Sequence, residues 1–159
     1  VPDGPQCNCG NRGCWETLVS QSVVFRSMRE AVESGRASLV CDWTDNDWAR
    51  LTMPMVIDAA RRSDPVAMEA LGKVGHALGV GVASLVNALN PDLVVLGGML
   101  SLAADFLLPI IQLEVRQRAL RWNADATQIV LARHGADACV IGGIAVVHQN
   151  ILSHSLATH

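Results

Sequence analysis

Three of the five cysteines crowd into one short run, Cys7-Asn8-Cys9-Gly10-Asn11-Arg12-Gly13-Cys14. A Cys-x-Cys-x4-Cys spacing with glycines inside it can curl around a single ion. Glycine tolerates the φ > 0 turns that swing three sulfurs to one centre. Three thiolates leave a tetrahedral zinc one ligand short. His76, His134 and His148 lie far along the chain and read as surface or internally satisfied residues. A disulfide between two of the three cysteines, or three free thiols, are the competing readings. The odd count and tight clustering argue against a secreted disulfide framework and for a reducing, cytoplasmic setting. Cys41 and Cys139 stand alone in apolar surroundings and read as small buried hydrophobes.

The rest of the chain is that of a globule. It has 159 residues, half of them apolar and 17% charged, with a formal net charge of −3. That length suits one domain with its own core and excludes a disordered tail. Lys73 is the only lysine among 12 basic residues, and no basic block marks a face that would track phosphates. Apolar stretches such as Ala77–Leu89 are interrupted by Gly, Ser and Asn and fall short of the roughly 20 residues that span a bilayer. No signal peptide opens the chain, so no membrane partner is expected. The first residue is Val1 rather than Met, and the expectation is that the functional protein extends further.

Periodicity predicts a mostly helical chain with two short strands. Residues 1–14 read as loop, and a helical pattern from Trp15 stops at Gly35. Residues 35–50 read as irregular. Thr52 reads as the cap of a helix ending near Arg62, with Pro54 in its first turn. Ser63-Asp64-Pro65 is a stronger start signal. It opens a long helix ended by Asn90-Pro91. Met68, Leu71, Val74, Leu78, Val82 and Leu85 form its expected apolar stripe, while Gly72, Gly75 and Gly79 ask for close approach by another helix. Leu93–Leu96 and Gln128–Ala132 are expected as strands buried on both faces, each followed by a helix, over about 103–121 and 138–151. Two strands make a poor sheet, so further strands are expected from outside this sequence.

Two further features could carry chemistry. Glu16 follows the thiol cluster closely, so a metal knot would pin its carboxylate where ligand hydroxyls could reach it. The plain alternative is an exposed acid at a helix start, favoured by the helix dipole. Gly97-Gly98, at the end of Leu-Val-Val-Leu, forms a strand–turn–helix that can present amides to an anion. The third glycine of a dinucleotide fingerprint is lacking. No nucleophile–base pair stands out.

Taken together, Pro-Asp-Gly-Pro-Gln-Cys-Asn-Cys-Gly-Asn-Arg-Gly-Cys-Trp-Glu (2–16), Asn90-Pro91-Asp92-Leu-Val-Val-Leu-Gly97-Gly98 and Gly135-Ala-Asp-Ala-Cys-Val-Ile-Gly142-Gly143 resemble the ROK family of repressors, open reading frames and sugar kinases. The resemblance covers essentially the whole chain. It implies an α/β fold, the C-terminal part of an actin-like, ribonuclease-H-like ATPase-type architecture, with the N-terminal half outside this sequence. Residues 1–16 would then be a zinc-binding loop and 17–159 the C-terminal α/β domain. Cys7, Cys9 and Cys14 match the family's three cysteine ligands to a structural zinc, whose fourth ligand, a His, would lie before Val1. Glu16 matches the glutamate that contacts the sugar in the interdomain cleft. Gly97 and Gly98 match the turn that faces the nucleotide in the kinases. The phosphate loop and catalytic Asp would belong to the other half.

Two functions follow from the resemblance. Regulators sense a sugar in the cleft and bind DNA through an N-terminal helix-turn-helix. Kinases phosphorylate a hexose or amino sugar with ATP and Mg²⁺. Trp15, within Gly-Cys-Trp-Glu, and the bulky Met99 after Gly97-Gly98 favour the regulator branch, of the xylose- or N-acetylglucosamine-repressor kind. A homodimer or tetramer is expected, with the glycine-faced long helix as one candidate surface. A third reading, outside the family, is a zinc- or thiol-based interaction module.

Overall fold

A computed structural model describes residues 3–155. The long helix α4, Pro65–Leu89, is central to the packing and contacts the helices at 21–33, 53–61, 104–118 and 121–126. Its start follows from its cap. The Asp64 carboxylate accepts from the amides of Val66 and Ala67, 2.9 and 3.0 Å away, with Pro65 preset in the first turn. Its end follows from Asn90, which takes the left-handed conformation ahead of Pro91.

Helices α1 (Gln21–Glu33), α2 (Leu39–Thr44) and α3 (Met53–Arg61) pack beside this helix. Pro54 sits in the first turn of α3 as expected, but the Thr52 side chain makes no capping bond. Residues 35–50 are not irregular throughout, since α2 and a short 3-10 turn at Trp48–Arg50 fall within them. The start of α2 is held from outside. Leu39 N–H and Ser38 Oγ both donate to the same Asp64 carboxylate, at 2.6 and 2.8 Å.

Helix α5, Ala104–Arg118, also packs on α4, and its Asp105 pairs with Arg61 of α3 at 3.1 Å. The close approach expected of the α4 glycines occurs here at two of the three. A Cβ on Gly79 would lie 2.5 Å from Glu114 Cβ, and one on Gly75 would lie 3.2–3.3 Å from Ile110. Gly72 faces open space. The contact surface of α4 is made largely of small residues, Ala67, Ala70, Gly75, Gly79 and Ala83, beside Leu71, Val74, Val82 and Val86. Met68 and Leu85, expected on the buried stripe, are instead exposed. Small side chains let the helix axes come close, and of the larger apolar residues Leu71, Val74, Val82 and Val86 are enclosed while Met68 and Leu85 fall outside.

Strands β1 (Leu93–Leu96) and β2 (Gln128–Leu131) pair in parallel, Leu93 opposite Gln128 and Leu96 opposite Leu131. The crossover between them carries a 3-10 turn (Met99–Ala103), α5 and α6 (Arg121–Ala126). The expected helix over 103–121 therefore ends at Arg118, and α6 is an element the periodicity did not predict. The strands stand where the apolar runs placed them, but they are not buried on both faces. Leu131, beside Leu96, is exposed on one face, and on the other Leu93 and Val130 are exposed and Val95 is 54% exposed. Nothing among the described residues covers that second face.

A last 3-10 turn, Gly135–Asp137, leads into α7, Ala138–Ser155. Its apolar side chains Val140, Ile144, Val147 and Ile151 are all exposed. The window Gly135–Leu152 is, by length and composition alone, apolar enough to cross a membrane. The window is 18 residues long and contains Asp137, so it does not reach the roughly 20 uncharged apolar residues of a span, and His148, Gln149 and Asn150 interrupt it as well. Cys139 is exposed and Cys41 half-buried, so neither is the buried hydrophobe expected.

Candidate functional site

The thiol loop is shaped by its backbone. Cys7 N–H donates to Asn11 O at 2.8 Å, Gly10 N–H to Cys7 O at 3.0 Å and Gly13 N–H to Pro5 O at 2.8 Å, while Gln6 and Arg12 form an antiparallel bridge. The two reversals fall at Gly10 (φ +89°) and Gly13 (φ +64°), where a side chain would be strained. The ligand atoms of Cys7, Cys9 and Cys14 lie within 4.8 Å of one another, and the Cys9 and Cys14 sulfurs are 3.5 Å apart. Cys7 is buried, Cys14 half-buried and Cys9 exposed.

Crowding makes the thiols inequivalent. The Asn11 backbone and then the Cys14 side chain lower the pKa of Cys9. Hydrogen bonding to Cys9, then to Cys7, pushes that of Cys14 up to about 11. Cys9 therefore gives up its proton more readily than an ordinary thiol, and Cys14 less readily. A soft divalent cation removes that difference, because it binds thiolates and displaces their protons. The donor set fits such a cation with one position left for a fourth ligand. No histidine joins the cluster among the described residues. His76 is engaged elsewhere, 2.8 Å from Glu114 at the α4–α5 seam, and His134 is exposed.

Cys14 opens the 3-10 turn Trp15–Leu18. Its carbonyl accepts from the Thr17 N–H at 2.9 Å and the Thr17 hydroxyl at 2.6 Å, which fixes the turn on the thiol loop. Glu16 sits in this turn and is exposed. It lines a small polar cavity of about 210 Å³ with Cys7, Asn8, Gln6, Ser20 and Arg26. A carboxylate, two amides, a hydroxyl and a guanidinium offer donors and acceptors to a ligand rich in hydroxyls.

Gly97 and Gly98 divide. Gly97 borders an apolar cavity of about 480 Å³ with Val95, Met99, Leu100 and Leu107, and Ser20 borders both cavities. A Cβ on Gly97 would lie 3.3 Å from Ala138 Cβ and 3.4 Å from Ala132 Cβ, so this glycine lets the start of α7 approach β1. Gly98 takes φ +82°. Its N–H is spent on Gly135 O at 3.1 Å, and its carbonyl accepts from the Ser101 hydroxyl at 2.6 Å. The turn is therefore tied to the Gly135 segment rather than presenting the Gly98 amide to an anion. No Lys or Arg lines the larger cavity.

Sequence reasoning passed over Trp15 as a structural residue and over Gly81. The Trp15 indole N–H donates to Ala77 O of α4 at 2.9 Å, and its ring covers Gly81. The available signal was a fourth glycine in the long helix, beyond the three that the close-approach argument used.

Comparison with known proteins accounts for this arrangement. The chain is 38% identical over 151 residues to a glucokinase of Halalkalibacterium halodurans, covering 94% of this chain and 45% of that protein. It is 30% identical over 148 residues to a putative xylose repressor of a Caldicellulosiruptor species, covering 92% and 36%. A ROK family glucokinase from Streptomyces griseus, solved in complex with glucose and AMPPNP, superposes with a TM-score of 0.84 at 26% identity, over 94% of this chain and 49% of that one. The chain thus spans half or less of the length of the relatives it matches. The sequence profile of the ROK family covers residues 1–150, and the chain belongs to that family.

Proposed function

We propose that this chain is the sugar-sensing part of a ROK-family transcriptional regulator, with the sugar held beside a structural zinc. The observation that supports the sugar reading is the shared cavity of Glu16 and Cys7. Zinc on Cys7, Cys9 and Cys14, with a histidine from before Val1 as fourth ligand, would cross-link the loop. Glu16 would then be a fixed acceptor for sugar hydroxyls. A charged acceptor of this kind contributes about 1.5–3 kcal/mol to each bond it makes.

The regulator reading is supported by the Gly97 cavity. Met99 is part of its lining, where a bulky side chain would crowd a nucleotide. In this reading the sugar binds one domain arrangement more tightly than another, and the difference, about 1–3 kcal/mol, is transmitted to DNA through a helix-turn-helix outside this chain. A homodimer or tetramer in the cytoplasm belongs to the same reading. The glycine-faced helix supports it less than the sequence suggested, because Gly75 and Gly79 are taken by α5.

The likeness to the Streptomyces griseus glucokinase favours the second reading, an ATP- and Mg²⁺-dependent sugar kinase. An assay of the intact protein with ATP, Mg²⁺ and glucose, xylose or N-acetylglucosamine separates the two. The regulator reading expects no turnover and a sugar-dependent change in DNA affinity. Phosphorylation of any of these sugars contradicts it.

A further inference from the structure

We propose that Trp15 is a positioning residue for sugar recognition: its indole latches the thiol loop, and with it Glu16, onto the middle of α4 at a gap opened by Gly81. The proposal rests on the reading of Glu16 as a sugar contact.

The gap has a simple origin. In an α-helix the Ala77 carbonyl accepts the N–H of the residue four positions on, which is Gly81. A carbonyl keeps a second lone pair. The side chain at the fourth position normally leans back over the preceding turn and shields it. Gly81 has no side chain, so the Ala77 carbonyl is open to a second donor. The Trp15 indole N–H takes it, at 2.9 Å. A Cβ on Gly81 would overlap Cε2 and Cζ2 of the indole and lie 2.5 Å from its Nε1.

The latch matters because it is a directed bond from this turn to α4. None of the four residues Trp15–Leu18 is buried. Glu16 is the next residue along, so the direction of its carboxylate depends on where the indole is seated. The zinc-binding cysteines set the shape of the loop, and Trp15 sets its placement on the helical body. The two contributions are separable.

The test uses the intact protein carrying Trp15→Ala, Gly81→Ala or both. Three readouts are the melting temperature, bound zinc, and calorimetric affinity for glucose, xylose and N-acetylglucosamine, each alone. Gly81→Ala by itself is expected to lower the melting temperature and weaken sugar binding about tenfold, with zinc retained. Trp15→Ala should weaken binding to a similar degree. In the Trp15→Ala background the effect of Gly81→Ala on melting reverses, because alanine is the better helix former once the ring is gone. The double variant then regains stability while its sugar binding stays weak. A merely structural role would restore both, and that result overturns the proposal. So does a Gly81→Ala protein with wild-type melting and affinity. A wild-type protein that binds none of the three sugars instead overturns the reading of Glu16 and the role built on it. The reversal in melting then still reports whether the latch exists.

Discussion

The two flanks of this chain differ in how their apolar residues are used. Along α4, the seam with α5 and α1 buries small and branched side chains to near completion, and Leu71, Val74 and Ile111 are almost fully enclosed. Around β1, β2 and α7, residues of the same hydrophobicity stand in the open, with Val147 at 57% exposure and Ile144 at 52%. The elements form equally well on both flanks. Local sequence selects helix or strand, whereas burial depends on what lies opposite. On the second flank, among the described residues, it is Val94, Leu96 and Ile129 that pack against the core.

That contrast gives the largest expected effect. Leu71→Ala empties a site that is 1% exposed and should cost about 2–5 kcal/mol. Ile144→Ala on α7 should cost this chain no more than about 0.5 kcal/mol. Urea unfolding measures both. Equal losses would mean that α7 has a packed face in solution and would break the comparison.

The same contrast explains what was legible in the sequence. Asp64-Pro65 and Asn90-Pro91 set the ends of α4 by local backbone chemistry, and both ends lie where expected. Gly75 and Gly79 announced a helix–helix seam, because nothing else offsets their cost in a helix. Three kinds of feature were illegible. Helix α2 is only six residues long and is started by a carboxylate 25 positions away, through Leu39 and Asp64. No local pattern encodes that contact. Met68 and Leu85 depart from the expected α4 stripe because Ala67, Ala70 and Ala83, which hydrophobicity alone ranks below them, are the residues buried in the contact surface. The strands were legible as strands but not in their exposure, since a continuous apolar run says nothing about which neighbour is present. In the candidate site, the cysteine trio was legible from spacing alone and the trio does converge. The tie of Gly98 to Gly135 was not, because it joins segments far apart in sequence.

A smaller effect separates buried from exposed carboxylates within the well-packed flank. Burial works to raise the Asp64 pKa, but the amides of Ala67, Leu39 and Val66 and the Ser38 hydroxyl outweigh it and hold the group below its ordinary value. Glu114 is held low by hydrogen bonds from Arg118 and then His76. A carboxylate whose pKa is depressed by folding stabilises the protein above its unfolded value and loses that stability as pH falls through the folded one. Stability should therefore be flat near neutrality and decline below about pH 4, in the range where carboxylates titrate. Asp64→Asn should remove much of this acid-labile stability. Glu69→Gln should leave the acid limb nearly unchanged, because Glu69 and its partners Lys73 and Arg36 are exposed and solvent screens their pairing. Denaturation midpoints between pH 3 and 7 give the comparison. An Asp64→Asn protein with an unchanged acid limb would contradict it.

The most direct test concerns whether a thiol-bound metal holds Glu16 where a sugar reaches it. It is a calorimetric titration of the intact protein, wild type, Glu16→Gln and Cys9→Ser, with glucose, xylose and N-acetylglucosamine, alongside elemental analysis for zinc. Glu16→Gln is expected to keep its zinc and lose at least about tenfold in sugar affinity, in line with a charged hydrogen bond. Cys9→Ser is expected to lose both metal and sugar. Full sugar affinity in Glu16→Gln, or full zinc in Cys9→Ser, would contradict the account.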